Sequence, residues 1–205
     1  DNISTGSSSS NQIKLPLLNS GVYNFIVNWG DSTQDTITVW NQAASTHTYA
    51  SIGSYTITIT GSLQGFAFAN AGDRLKLLSI QSFGIMKFHN ISGGTSAFTN
   101  TFRGCANLTL NAVVDVPDLV GMGRLDEMFR GTSSLTLINK VNLWDVSSVF
   151  SFSSVFNASS FNDNITTWNL SSAIDTSFMF SSATNFNQNI GNWNVSNVTN
   201  FNNFM

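Results

Sequence analysis

Two histidines, His47 and His89, and one cysteine, Cys105, make up the chain's whole supply of the side chains most used for proton transfer and nucleophilic attack at neutral pH. Asp31 with His47 would form an acid/base pair if the carboxylate oriented the imidazole. Asp115 with Asp118, and Asp126 with Glu127, are paired carboxylates of the kind that serve hydrolysis or hold calcium. Each has a simpler structural account. Asp31 follows Gly30 and caps its turn, His47 opens a strand, and the carboxylate pairs suit turns and solvated faces. Cys105 stands at a small interior position after Phe102-Arg103-Gly104 and reads as a packed, inert thiol. A single cysteine also excludes an intrachain disulfide and a cysteine zinc cluster. No glycine-rich phosphate loop, His-x-x-x-His helix or nucleophile elbow is present. The expectation is therefore a non-enzymatic protein with no cofactor and no metal.

Composition restricts the partners. Charged residues are 9% of the chain, against about 25% in ordinary globular domains. Low charge raises the question of a membrane span, but no window approaches the ~18 consecutive apolar residues that one requires. Ser, Thr, Asn and Gln supply the polarity instead, which suits turns and β-rich or repeat folds. There are eight Lys and Arg in all and none after Lys140, so neither a nucleic-acid groove nor a polybasic membrane patch is expected.

The elements that would position these residues fall into two parts. Residues 1–12, rich in Ser, Gly and Asn, are expected to form a flexible N-terminal segment. From residue 13 to 65, short β-prone runs alternate with turns. Residues 23–29 and 36–40 read as strands on either side of a turn at Gly30-Asp31-Ser32-Thr33. Residues 55–60 alternate, with Tyr55, Ile57 and Ile59 on one face and threonines on the other. This pattern predicts a small antiparallel sandwich.

Beyond it the sequence repeats itself. Trp144-Asp145-Val146-Ser147 aligns with Trp168-Asn169-Leu170-Ser171 and Trp193-Asn194-Val195-Ser196, at spacings of 24 and 25. Phe161 and Ile165 align with Phe186 and Ile190, and the block from Thr101 to Leu108 aligns with Met128 to Leu135. Phe102, Phe129, Phe156 and Phe180 occupy one position of this text. A single repeat cannot bury such groups, but stacked repeats can. The interior ladder is therefore expected to contain Phe102, Phe129, Trp144, Phe156, Phe161, Ile165, Trp168, Phe180, Phe186, Ile190 and Trp193. The Trp-x-Val-Ser segments are expected to be short strands, with short helices or 3-10 turns over 149–156 and 174–180. Regular spacing favours this interior reading over an exposed sugar-stacking stripe. The sequons at Asn2, Asn90, Asn107, Asn157, Asn164, Asn169, Asn194 and Asn197 are largely by-products of the Asn-Val-Ser text.

Two resemblances follow from these residues. Val27-Asn28-Trp29-Gly30-Asp31, His47-Thr48-Tyr49 and Gly53-Ser54-Tyr55-Thr56-Ile57 resemble, in order and spacing, a PKD-type domain, which implies an immunoglobulin-like sandwich. The Trp-Asn-Val-Ser and Phe-Asn-x-x-Ile blocks resemble the BspA-like leucine-rich-repeat surface proteins, also met as the DUF285 repeat. Phe201 and Phe204 stand where that family usually has methionine. The expected fold is mainly β: a PKD-like sandwich at 13–65, then a leucine-rich-repeat-like solenoid at 66–205. Within the solenoid an entry repeat covers 66–101, and regular coils run from 102.

The resemblance implies an extracellular or cell-surface protein that mediates adhesion by binding a protein or glycan on another surface. The alternative is a structural or decoration subunit of a cell-surface or virion exterior, contacting neighbouring subunits. The last repeat stops at Phe204-Met205 without the next Phe and Ile positions, so its end is expected to be covered by further repeats or by another chain.

Overall fold

The computed structural model describes residues 4, 6–88 and 99–205. His89 and the sequons at Asn2 and Asn90 lie outside them. The described chain is mainly β with very little helix. Six strands appear in order, β1 (Gln12–Lys14), β2 (Leu17–Asn28), β3 (Gln34–Ile37), β4 (Thr46–Thr48), β5 (Thr58–Phe66) and β6 (Met86–Lys87). The helical content is two single 3-10 turns, Ala43–Ser45 and Val141–Leu143.

β1 and β4 form a two-stranded antiparallel sheet, and the order β3-β2-β5-β6 forms an open four-stranded one. β2 is long because its alternation holds: Tyr23, Phe25 and Val27 are buried, while Asn24, Ile26 and Asn28 face out. The strand expected over 55–60 begins three residues later, at Thr58. Its partner explains this. Asn28 pairs with Thr58, and the chain then leaves the sheet at Gly30, whose φ is 83°. No strand remains opposite residues 55–57. A Cβ at Gly30 would stand 2.6 Å from the Thr56 carbonyl oxygen, so both the backbone angle and the close approach require glycine.

The boundary expected at 65 falls inside β5. Leu63 and Gln64 pair in parallel with Met86 and Lys87, and Lys87 makes a parallel bridge to Asp118. Hydrogen bonding thus runs from the sheet into the repeats. The described residues of the segment expected to be flexible are also bonded. Ser4 and Ser7 donate their hydroxyls to the Gly72 carbonyl, and Ser8 donates its N–H and its hydroxyl to Asp73 at 2.8 and 2.6 Å. A short polar side chain next to a buried carboxylate satisfies it, which is why a Ser-rich run lies down here.

From residue 99 onward regular secondary structure almost disappears, yet the backbone stays paired. Single parallel bridges join Arg124 to Ser151, Ser151 to Asp175, and Asp175 to Asn200. Each Phe N–H of the repeat donates to the carbonyl one repeat on: Phe102 to Met128, Phe129 to Val155, Phe156 to Met179 and Phe180 to Phe204, at 2.8–3.0 Å. Each repeat takes one left-handed residue before its Phe position, and all but the last take a second after it. Asn100, Glu127, Ser154, Phe178 and Asn203 occupy one such position, and Gly104, Gly131, Ala158 and Ser182 the other. A non-glycine residue there costs about 1–2 kcal/mol, so the bonds and packing around the turn must offset that strain.

These turns correct the expected element types. The Trp-x-Val-Ser segments are not strands, because Asp145, Asn169 and Asn194 each accept the N–H of the residue two places on and close a side-chain turn. Pairing moves downstream, to Ser151, Asp175 and Asn200. No helix forms over 149–156 or 174–180, which hold the bridge residue and a turn instead.

One hydrophobic cluster runs unbroken from Leu15 and Phe25 through Phe88 and Phe102 to Trp193.

Candidate functional site

The ladder residues divide by depth. Phe102, Phe129, Trp144, Phe156, Phe161, Ile165, Trp168, Phe180 and Trp193 are buried, whereas Phe186 and Ile190 are half-buried against the same cluster. Phe102, Phe129, Phe156 and Phe180 stack at 5.6–5.8 Å between successive ring centres. Phe161 lies 3.9 Å from Phe156, and Phe186 lies 3.8 Å from Phe180, so each of these two repeats adds two rings to the column. Such pairs contribute roughly 0.5–1.5 kcal/mol each beyond the area they bury.

The tryptophans fix the spacing through their indole N–H groups. Trp168 donates to the Val141 carbonyl at 2.9 Å and Trp193 to the Ile165 carbonyl at 3.1 Å. Both acceptors stand three residues before the matching position of the preceding repeat. One repeat before Trp144, the Val113 and Val114 carbonyls accept instead from the Asn139 side chain and the Lys140 ammonium. The Trp144 indole N–H is left buried without a partner among the described residues.

Along the bridge residues runs one regular polar row, at least partly exposed at Arg124, Asp126, Ser153, Asp175, Asn200 and Asn202 and buried at Ser151 and Ser177. Arg124 and Asp126, Ser151 and Ser153, Asp175 and Ser177, then Asn200 and Asn202 follow one another at the repeat spacing. They are cross-linked. Arg124 donates to Asp126 at 2.6 Å, the Ser151 hydroxyl donates to the other oxygen of Asp126 at 2.5 Å, and the Ser153 and Ser177 hydroxyls lie 3.1 Å apart. Asp175 accepts the Ser177 N–H, and Asn200 accepts the Asn202 N–H. Apolar side chains border this polar ladder. Phe150 sits under the Arg124 guanidinium at 5.7 Å, while Ile174 and Phe178 are 49% and 38% exposed. The accessible members of this row, Arg124, Asp126, Ser153, Asp175, Asn200 and Asn202, beside exposed apolar side chains, can bind a partner by hydrogen bonds and apolar contact.

The residues weighed for catalysis are engaged elsewhere. His47 Nε2 and Asp31 Oδ2 are 2.8 Å apart. The Thr33 hydroxyl and then His47 hold the Asp31 carboxyl down to about 2. His47 is stacked on Trp29 and meets Tyr49 edge-on, and Tyr49 donates its hydroxyl to the Trp29 carbonyl. The WGD turn and the HTY strand are thereby joined. Asp115 accepts from the Ser82 hydroxyl and the Phe83 and Gly84 N–H groups. Burial raises its pKa, but these bonds outweigh burial and hold it below the usual carboxylate range. Asp118 pairs with Lys87, and Glu127 stands between Arg103 and Arg130 at 2.6 and 3.4 Å. Cys105 is buried, and burial pushes its thiol far up, against a smaller opposing effect of Arg74. Among the described residues no group of three or more His, Cys, Asp or Glu is placed to hold a metal ion. No helix there is long and apolar enough to cross a membrane.

The family described as Mycoplasma protein of unknown function, DUF285, matches residues 96–205. The chain belongs to the DUF285 family. No curated protein and no solved structure matches it. The DUF285 match spans the stacked phenylalanines, the tryptophans and the polar ladder, and leaves the β1–β5 module outside. Membership is compatible with a surface-associated protein of unknown function.

Sequence reasoning missed the ladder face, because Arg124, Ser151, Asp175 and Asn200 share a position but not a residue type. The Trp-to-bridge offset would have found it, since it is constant at Trp144/Ser151, Trp168/Asp175 and Trp193/Asn200.

Proposed function

We propose that the chain is a non-enzymatic, extracellular surface protein that binds a protein or glycan through the polar ladder face, with the N-terminal module as its spacer. In this reading residues 13–65 are a PKD-type, immunoglobulin-like sandwich, and residues 66–205 are a leucine-rich-repeat-like solenoid. The parallel bridges at repeat spacing support the solenoid, and the pairing of β2 with β3 and β5 beside the separate β1–β4 sheet supports the sandwich.

One observation carries the functional reading. The ladder side chains are held by one another and by a stacked interior, so little rotamer freedom is left to lose on binding, and Ile174 and Phe178 stand exposed beside them. The test is a screen of the protein against glycan and matrix-protein arrays, alongside the double variant Phe178→Asn and Ile174→Ser. Asparagine tolerates the left-handed backbone of position 178, so the fold is kept. Binding that falls about tenfold or more with unchanged thermal unfolding supports the reading. Unchanged binding by the variant overturns the ladder face. No ligand on any array, with the chain recovered in a purified particle or filament, would favour the structural-subunit alternative.

A further inference from the structure

The sheet edges of the N-terminal module are treated unequally. β1 is closed on its outer side by a charged pair: Lys14 donates its backbone N–H to Asp73 at 2.6 Å, and the Gln12 carbonyl accepts from the Lys76 ammonium at 2.9 Å. β3 is closed by Gln42, whose side chain accepts the Thr38 N–H at 3.1 Å and donates to the Thr36 carbonyl at 2.7 Å. β4 is only three residues long, and the Thr46 N–H is taken up by the Ala43 carbonyl. β5 differs. β6 covers it at Leu63 and Gln64 alone, while residues 58–62 pair with β2 on one side and, among the described residues, with no strand on the other.

Thr58 and Ile59 at the start of that open edge, and Leu63 beyond it, line a cleft of about 890 Å³. One wall carries Tyr55, Ile57 and Ile59 and the other Leu77, Ile80 and Met86, all partly buried and packed against the core. We infer that this cleft is a strand-addition site, which takes one extended segment of another polypeptide with apolar side chains at alternate positions. An unpaired edge dictates an extended backbone as its partner, and alternate side chains of that strand would point into the apolar cleft. Residues 77–86 form the far wall and β6 blocks the end of the edge, so the slot admits a single strand rather than the sheet of a second copy. The site is separate from the ladder face and stands or falls apart from it.

The probe is a short capped peptide alternating valine and threonine, titrated into the full chain by calorimetry. Two isomers are compared with it, N-methylated on one or the other set of alternate residues. Only one edge of the peptide bonds to β5, so one isomer binds like the parent and the other at least about tenfold more weakly. Amide hydrogen exchange slows at residues 58–62 on binding. The double variant Thr58→Lys and Thr60→Lys, with both side chains on the solvent face, lowers affinity about tenfold by guarding the edge and leaves thermal unfolding unchanged. Phe178→Asn leaves peptide binding untouched. Equal binding of both isomers, slowing confined to other residues, or no binding overturns the inference. So does concentration-dependent self-association that the lysines abolish, which would make a second copy the occupant.

Discussion

The sheet module and the DUF285 repeats bury their cores equally well by opposite means. In the module, Phe25, Val27 and Ile37 are buried because strand pairing fixes which side of β2 and β3 faces inward. In the repeats, bridges are single residues, and the column of rings and the tryptophan N–H bonds set the spacing instead. Extended strands are therefore not needed for a parallel stack. A few left-handed turns and a repeated large side chain suffice.

The largest expected effect tests whether the two regions share one core. Phe156→Ala removes a ring stacked on Phe129, Phe161 and Phe180, and Phe25→Ala removes one from the centre of β2. Each is expected to cost about 3–5 kcal/mol. Because the cluster is continuous, each lowers a single calorimetric transition. Two separated transitions in either variant would divide the molecule into independent units.

A smaller effect isolates the tryptophan bonds. Trp168→Phe loses its donor to the Val141 carbonyl and is expected to cost about 1–3 kcal/mol, since a buried acceptor is stranded. Trp144→Phe strands no acceptor, because its N–H has no partner among the described residues. Its cost in urea unfolding should be the smaller of the two. Equal costs would show that the indole bond does not set the spacing.

The smallest effect is acid lability in the module. The folded Asp31 carboxyl titrates at about 2, below the ordinary value of about 3.9. Its contribution is present in full above about pH 4 and is lost as pH falls through about 2. Asp31→Asn should lower the unfolding midpoint near pH 7, where the contribution is present in full, and converge on the unsubstituted chain below about pH 2, flattening the slope between. Asp115 and Asp145, also held low, would keep a residual acid slope in the variant.

Much of this arrangement is legible in the sequence, and the illegible parts share a cause. A ring that recurs every 24 to 27 residues announces a stack, so Phe102, Phe129, Phe156 and Phe180 stand out by their spacing alone. Asp73, Lys76 and Gln42 do not, because they act on strands distant in sequence or curl back over their own, and nothing recurs to mark them. The start of β5 is equally hidden. Residues 55–60 alternate without a break, but a strand needs a partner, and the partner ends at Asn28. The bridge positions escape notice because backbone pairing there accepts Arg, Ser, Asp and Asn alike.

The repeat-to-repeat backbone bonds have a mechanical consequence. Each repeat is joined to its neighbour by a handful of bonds that lie side by side, as between Phe156 and Met179 or Phe180 and Phe204. Under tension along the chain these bonds are loaded a few at a time, so the repeats peel off in order while the rest stay stacked. Each step frees 24 to 27 residues, or about 80–95 Å of extended chain. Heat would melt this molecule all at once, and a pulling force would release it in lengths.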